Sequence, residues 1–164
     1  MVTLRESAVD APEAHALLAE YFGLREIGFA HLDHPYAITF PDPASFVPPD
    51  GVFLIVTDDT DDSDDTGDSV GCGGIRRIVD GRSGTRYEVK HLYLRPETRG
   101  RGWGRVLLTE LENRARAFGA RELVLDTHHT LEAAGGLYAA SGFTRIEPYN
   151  DNPNATRWYG KILG

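Results

Sequence analysis

The spacing of apolar residues in the first half of the chain predicts a helix followed by a β-hairpin. Within residues 11–21 apolar side chains recur at helical spacing after Asp10, a candidate N-cap. Residues 51–57, GVFLIVT, form a short apolar run bounded by prolines and acids, which indicates a buried strand. Residues 70–79 are its expected antiparallel partner.

The second half of the chain alternates strand and helix patterns around a glycine-rich turn. Residues 87–94, YEVKHLYL, predict a central strand that ends at Pro96. Between residues 103 and 118 apolar side chains return at helical spacing, and Gly119 is the expected helix stop. The remaining pattern predicts a strand, a short helix and two closing strands at residues 122–127, 131–140, 143–149 and 156–163. The predicted fold class is α/β, a mixed sheet with the glycine turn at its centre.

Length and composition restrict the class of protein. With 164 residues, 41% apolar and 26% charged, the chain can bury a core, and no linker divides it, so a single domain over residues 1–164 is expected. It has no run of about 18 apolar residues and no signal-like N-terminus, so no membrane partner is expected. The single cysteine, Cys72, cannot form an internal disulfide, which fits a cytoplasmic location.

The net charge of −8 argues against a nucleic-acid partner, because an acidic surface repels a phosphate backbone. Four arginines nevertheless cluster, so a small polyanion is the better partner: Arg95, Arg99, Arg101 and Arg105. Seven aspartates crowd the eleven residues 58–68. They permit a calcium loop or a solvated flexible loop, and the lack of the glutamate that closes an EF-hand favours the flexible loop, with no metal.

The stretch TRGRGWGR, residues 98–105, interleaves glycine and arginine. Glycine gives a ligand access to backbone N–H groups, and arginine supplies paired donors that suit phosphate oxygens, so the turn is a candidate phosphate cradle. No GxxxxGK string occurs, which excludes a Walker A loop. A dinucleotide fingerprint starting at Gly100 would need glycine or alanine where Arg105 stands, although Asp126 follows at a suitable distance for a ribose contact.

A third pattern, RxxGxG, is satisfied by Arg99, Gly102 and Gly104 after a predicted strand and at the start of a predicted helix. With the run YEVKHLYLRPETRGRGWGRVLLTELENRARAFGARELVLDT and the later AAGGLYAASGF, it resembles the Gcn5-related N-acetyltransferase (GNAT) superfamily over residues 87–145. The resemblance implies a mixed, mostly antiparallel central sheet flanked by helices, with splayed central strands. It also implies an N-acetyltransferase that moves the acetyl group of acetyl-CoA directly to a primary amine of a small molecule or peptide.

A noncatalytic acyl-CoA-binding or sensor domain is the alternative function. Such a domain would keep the phosphate cradle and lack the acid and the base, so the cradle alone does not separate it from an enzyme. Association into a homodimer is compatible with either function.

The expected cosubstrate site combines the helix N-terminus with the end of the central strand. Unpaired N–H groups and the helix dipole favour an anion, so the diphosphate of acetyl-CoA is expected at residues 99–105. By resemblance, residues 92–94 pair with the pantetheine arm as an extra strand, and a backbone N–H near Leu94 faces the carbonyl oxygen. The expected cofactor-binding residues are Leu92, Tyr93, Leu94, Arg99, Gly100, Arg101, Gly102, Trp103, Gly104 and Arg105.

Two residues are candidates for proton transfer. Glu88 is a carboxylate in an otherwise apolar strand, and a strict two-residue period puts it on the face of Lys90. The same period puts Leu92 and Leu94 on that face. The resemblance implies a base or a substrate anchor for Glu88, and a surface pair with Lys90 is the alternative. Tyr138, in GLYAASGF, resembles the family's general acid for the thiolate, with helix packing as the alternative.

The second predicted helix departs from the family pattern at its start. Many members have an asparagine seven residues before the tyrosine, whereas this chain has Leu131, and Thr127 or Thr130 could replace the lost polar contact. The adjacent His128 and His129 are expected to diverge, and no third metal ligand accompanies them, so they are expected to be surface or loop histidines.

Two regions are expected to select the acceptor amine. They are residues 25–40, in which His31 and His34 have no assigned role, and the loop within residues 148–160. The polar and acidic run YNDN at residues 149–152 and the net negative charge would attract a cationic amine. Turn formation explains the same asparagines and aspartate equally well.

Overall fold

Seven strands and three α-helices make up the part of the chain that the structure, a computed structural model, describes: residues 2–28, 30, 36–59 and 67–164. In chain order they are β1 (Val2–Glu6), α1 (Pro12–Gly28), β2 (Gly51–Asp58), β3 (Asp68–Gly81), β4 (Gly84–Leu94), α2 (Trp103–Ala117), β5 (Glu122–Thr127), α3 (Glu132–Ala140), β6 (Thr144–Arg145) and β7 (Arg157–Ile162). Short 3₁₀ turns occupy Pro43–Phe46 and Pro96–Thr98.

The described strands form one sheet in the order β1-β2-β3-β4-β5-β7-β6. Neighbouring strands are antiparallel except β4 and β5, which are parallel and therefore need a crossover, supplied by α2. The prediction of a mixed, mostly antiparallel sheet flanked by helices is confirmed. The hairpin of β2 and β3 also lies where the apolar pattern predicted it.

Helices cover both faces of this sheet. On one face α2 buries Leu107 and Leu111 against apolar side chains of β2, β4 and β5, and Tyr138 of α3 joins the same core. On the other face α1 buries Leu18 and Phe22 against side chains of β2, β3 and β4. The strongly apolar β2 is buried because both of its faces are covered.

The structure differs from the sequence expectations at three elements. β1 was not expected, because a five-residue edge strand with the sequence VTLRE has too short an alternation to stand out. β6 has two residues instead of residues 143–149, since the polar residues after Pro148 leave the sheet. α1 continues to Gly28, seven residues beyond the predicted end at residue 21.

Some sequence expectations concern residues outside the described part of the chain. These are His31, His34 and the aspartates between residues 60 and 66. Among the described residues, no three His, Cys, Asp or Glu side chains converge as a metal site requires. No described helix has both the length and the apolar composition needed to cross a bilayer.

Candidate active site

A β-bulge interrupts the central strand β4. The pairing of β3 with β4 shifts by one residue between Lys90 and Tyr93, so His91 and Leu92 together stand opposite a single residue of β3. His91 takes a left-handed backbone conformation with φ of 58°, which is uncommon outside glycine. The bulge reverses the alternation of side chains for the rest of the strand.

This reversal corrects the face predicted for Glu88. Its carboxylate does share a face with Lys90, 3.8 Å away, but Leu92 and Leu94 pack into the core on the opposite face, beneath α2. The prediction that Glu88 and both leucines share a face is wrong, because it assumed an uninterrupted two-residue period.

The two parallel central strands separate beyond Glu88. β4 pairs with β5 only from Arg86 with Glu122 to Glu88 with Val124, so the expected splay is present. A cavity of about 610 Å³, here called the central cavity, opens beyond this point between the ends of the two strands. α1, α3 and residues 36–42 and 150–155 form its other walls. Its volume is in the range of small-molecule sites.

Glu88 lies buried behind the wall of the central cavity. Arg76 donates to Oε1 from Nε at 3.0 Å and from Nη2 at 2.9 Å, and the Tyr149 hydroxyl donates to Oε2 at 2.6 Å. Burial and the neighbouring carboxylates raise the pKa of Tyr149, so this phenol keeps its proton. The alternative role, a surface pair with Lys90, is half right: the two side chains form an ion pair, but it is not at the surface, because Glu88 is buried and has two shorter contacts.

Asp126 lines the central cavity with a carboxylate that is largely buried. Lys90 Nζ donates to it at 3.1 Å, Asn150 Nδ2 at 2.7 Å and Asn152 Nδ2 at 3.1 Å. Burial raises the pKa of Asp126, but the charge of Lys90 and the two amide hydrogen bonds outweigh it and leave that pKa below its usual value. The sequence suggested Asp126 only as a ribose ligand, and nothing in its spacing predicted these partners.

Tyr138 projects from α3 and lines the central cavity. Its ring packs against Phe143 and Tyr159, which also accounts for its burial. Within the described part of the chain no group hydrogen-bonds to its hydroxyl, so this O–H can meet a ligand. Burial raises the pKa of Tyr138, so the phenol is protonated at neutral pH.

The glycine-rich turn is shaped as the sequence predicted. Gly100 and Gly102 have φ of 82° and 81°, a region that favours glycine, and no atom of the described residues lies within 4 Å of where a Cβ would project. Gly102 is the N-cap of α2, and among the residues with described positions no side chain caps this end. The first N–H groups of α2 therefore face open space, and the turn fits a phosphate group.

Comparison with known proteins identifies the family. The model of the acetyltransferase (GNAT) family matches residues 12–143. This chain belongs to that family. An uncharacterised N-acetyltransferase of Schizosaccharomyces pombe is 33% identical over 147 residues, which cover 88% of this chain and 82% of the yeast protein.

Solved structures show the same fold. An acetyltransferase of Streptococcus agalactiae superposes with a TM-score of 0.75 at 22% identity, over 99% of this chain and 98% of that one. A GNAT family acetyltransferase of Elizabethkingia anophelis, solved with acetyl-CoA bound, gives a TM-score of 0.64 at 14% identity over 99% and 98% of the two chains. Membership of the acetyltransferase family agrees with the cosubstrate predicted from the sequence, acetyl-CoA.

The arginines near the turn of this acetyltransferase are engaged differently from one another. Arg95 donates to Glu20 of α1 from Nε at 3.0 Å, and Glu20 also accepts from the Tyr93 hydroxyl at 2.6 Å. Arg101 stacks over Trp103 with its guanidinium 5.1 Å from the ring centre. Arg95 and the Tyr93 side chain are thus tied to α1, so at Tyr93 only the backbone is available to a ligand of the turn.

The two adjacent histidines of the acetyltransferase lie in a loop, as expected, but do not diverge. Their rings stack with centres 4.5 Å apart. His128 is buried and lines the central cavity, and its Nδ1 accepts a hydrogen bond from the Thr130 backbone N–H at 3.2 Å. Arg25, from the region expected to select the acceptor, lines the central cavity, and the structure also adds Tyr21 and Arg76 to its wall. Of these, Arg76 was detectable in principle, as a charge in a predicted strand.

Proposed function

We propose that this acetyltransferase moves an acetyl group from acetyl-CoA directly to a primary amine of a small molecule or peptide. One observation carries the proposal. The central cavity brings the unpaired edge of β4, where the strand has parted from β5, together with the accessible hydroxyl of Tyr138. An acyl carrier lying along that edge would present its thioester beside a proton donor.

The residues proposed to hold acetyl-CoA fall into two groups. Backbone groups of Leu92, Tyr93 and Leu94 lie on the edge of β4 that has no partner strand among the described residues, which suits strand-like pairing with pantetheine. The diphosphate would lie at the start of α2, where backbone N–H groups and nearby guanidinium groups favour it. That second group is Arg99, Gly100, Arg101, Gly102, Trp103, Gly104 and Arg105.

Tyr138 is proposed to protonate the departing thiolate. The transfer forms an amide N–C bond and breaks the thioester C–S bond, so the sulfur leaves with an electron pair and needs a proton. Burial that raises the pKa of the Tyr138 phenol also raises the basicity of a thiolate in the same cavity, so proton transfer stays feasible.

Glu88 is proposed to accept the proton that the amine loses. Its oxygens already accept from Arg76 and Tyr149, and Lys90 lies beside it in the cavity wall. Proton transfer from the amine to Glu88 would therefore pass through a bound water or through the Tyr149 hydroxyl, which already donates to Glu88. The same contacts hold Arg76 and Lys90 in position in the cavity wall, and through these two side chains Glu88 would also serve as an anchor for the substrate.

The test combines thiol release with cosubstrate binding. Release of CoA thiol is measured with a panel of amines for the parent protein and for Tyr138→Phe and Glu88→Gln. Each substitution should slow turnover about 10²- to 10⁴-fold, the usual contribution of one general acid or base, while calorimetry shows unchanged CoA binding. Tyr159→Phe is the matched control, because it removes a hydroxyl from the ring next to Tyr138 and should keep full activity.

Two results would contradict parts of the proposal. Full activity in both variants would show that the assigned acid and base are wrong. CoA binding without thiol release for any amine would support a noncatalytic acyl-CoA-binding domain.

A further inference from the structure

The charges inside the central cavity differ from the charge of the whole protein. Although the chain carries a net −8, two of the three cations that line the cavity are neutralised by buried acids. Arg76 is held by Glu88 at 2.9 Å and Lys90 by Asp126 at 3.1 Å. The other lining acids, Asp42 and Asp151, are exposed at the rim.

Arg25 is the third cation. It lies in the last turn of α1, with its guanidinium 5.0 Å from the centre of the Tyr21 ring. In residues 2–28, 30, 36–59 and 67–164 no carboxylate lies within 4 Å of it, so within this part of the chain Arg25 is the lining cation without a carboxylate partner. A guanidinium held over an aromatic ring keeps its donors available for a carboxylate.

Arg25 acts on the same space as the proposed proton donor. Its charge lowers the pKa of both Tyr138 and Tyr36, against the larger opposing effect of burial, and the charge of Asp126 acts on the same two phenols. Arg25 and Asp126 therefore lie close enough to both phenols, across the central cavity, for their charges to act on them. If the anionic group of a ligand binds Arg25, an amine that lies a few bonds from that group in the same ligand would be close to Tyr138.

The wall between these polar groups is aromatic. Phe22 contacts Tyr36, Phe40 and His91 with ring centres 6.5, 5.1 and 5.6 Å apart. Burial lowers the pKa of His91 to about 3, so this ring is uncharged at neutral pH. Such a wall suits an apolar or aromatic side chain.

We propose that the acceptor is a free α-amino acid with an apolar or aromatic side chain, whose carboxylate is bound by Arg25. This inference rests on the proposed function and makes it more specific. An acceptor with a cationic amine and no carboxylate fits the cavity less well, because Asp126 already accepts three hydrogen-bond donors and such an acceptor has no anionic group for Arg25.

The experiment compares acceptors that differ only in the carboxylate. Thiol release is measured with phenylalanine, phenylalaninamide and phenethylamine, and with leucine and 3-methylbutylamine. The amino acids should have kcat/KM values about 10- to 100-fold above those of the matched amines, as expected for one charge-assisted hydrogen-bonded pair.

Variants of Arg25 test whether this side chain causes the preference for amino acids over the matched amines. Arg25→Ala should raise KM for phenylalanine about 10- to 100-fold and so bring kcat/KM for phenylalanine down to that for phenethylamine. Arg25→Lys should recover part of the affinity, since it restores the charge without the paired donors. Arg82→Ala, in the exposed turn between β3 and β4, should behave like the parent protein.

The outcomes separate this inference from the proposed function. Equal kcat/KM for phenylalanine and phenethylamine, unchanged by Arg25→Ala, would overturn the inference and leave the acetyltransferase activity intact. If no acceptor releases thiol, calorimetric titration of phenylalanine and leucine into the CoA complex decides the matter. Binding that weakens at least tenfold in Arg25→Ala supports the inference, and lack of binding to the parent protein overturns it.

Discussion

At the scale of single residues, His91 shows how one backbone irregularity shapes the site. Its left-handed conformation creates the bulge in β4, and its ring is buried among Tyr21, Phe22 and Phe46. Burial and, to a smaller extent, the positive charges of Lys90 and Arg76 lower the pKa of His91 to about 3, against the opposing charge of Asp126. The folded protein therefore holds this imidazole neutral.

The neutral His91 predicts an acid-dependent loss of stability. Between about pH 6.5 and pH 3 the unfolded chain binds a proton at this residue and the folded protein does not, so the free energy of unfolding falls as pH falls. The slope from this group approaches about 1.4 kcal/mol per pH unit. His91→Asn tolerates the left-handed conformation and cannot titrate, so it should remove that slope. Urea unfolding at pH 6, 5 and 4 measures it, and parallel curves for both proteins would contradict the prediction.

At this scale the sequence singled out Glu88, but it did not reveal that Arg76 and Tyr149 contact this carboxylate. A carboxylate in an apolar strand is costly, so Glu88 stood out correctly as a residue with a special role or partner. The partners could not be read from spacing, because Tyr149 lies 61 residues away and reaches Glu88 only through the loop after β6. The bulge was equally hidden, since His91 occupies a position with no local signal such as glycine.

At the scale of elements, periodicity was most reliable where many residues contributed to it. The long amphipathic α2, the apolar β2 and the glycine turn between β4 and α2 lie where the pattern predicted them. β1 and β6 have five and two residues, so too few positions alternate to give a pattern. The short β6 has a further cause, because Tyr149, Asn150 and Asn152 direct their side chains to Glu88 and Asp126 rather than into a sheet.

The start of α2 provides a test at this scale. Gly102→Ala has room for its methyl group but must keep φ near 81°, so it should destabilise the protein by about 1–2 kcal/mol and weaken CoA binding where the diphosphate approaches. Gly23→Ala, in α1 with equal room and no positive φ, should instead stabilise by about 0.5–1 kcal/mol and leave CoA binding unchanged. Thermal unfolding and CoA calorimetry compare the two, and equal CoA affinity in both would argue against a ligand at this turn.

At the scale of the whole molecule, the two regions expected to select the acceptor are joined directly. Asn154 Nδ2 donates to the Ala37 carbonyl at 2.8 Å, and the Ala37 N–H donates to Asn154 Oδ1 at 2.9 Å, across 117 residues of sequence. Both residues line the central cavity. This amide clasp, Asn154 with Ala37, ties the loop before β7 to the segment after α1 at the wall of the cavity.

The amide clasp should matter more for the acceptor than for acetyl-CoA, because it fixes one wall of the central cavity and does not contact the glycine turn. Asn154→Ala removes both hydrogen bonds and should cost about 1 kcal/mol of stability, since the pair is partly exposed. It should raise KM for the acceptor severalfold with CoA affinity unchanged. Asn154→Asp keeps the oxygen that accepts a hydrogen bond from the Ala37 N–H but loses the N–H that donates to the Ala37 carbonyl. Its KM for the amine substrate should therefore lie between those of the parent and Asn154→Ala. Steady-state thiol release and CoA calorimetry measure the two quantities. A loss of CoA affinity equal to the rise in acceptor KM would mean that the clasp supports the whole fold rather than the acceptor wall.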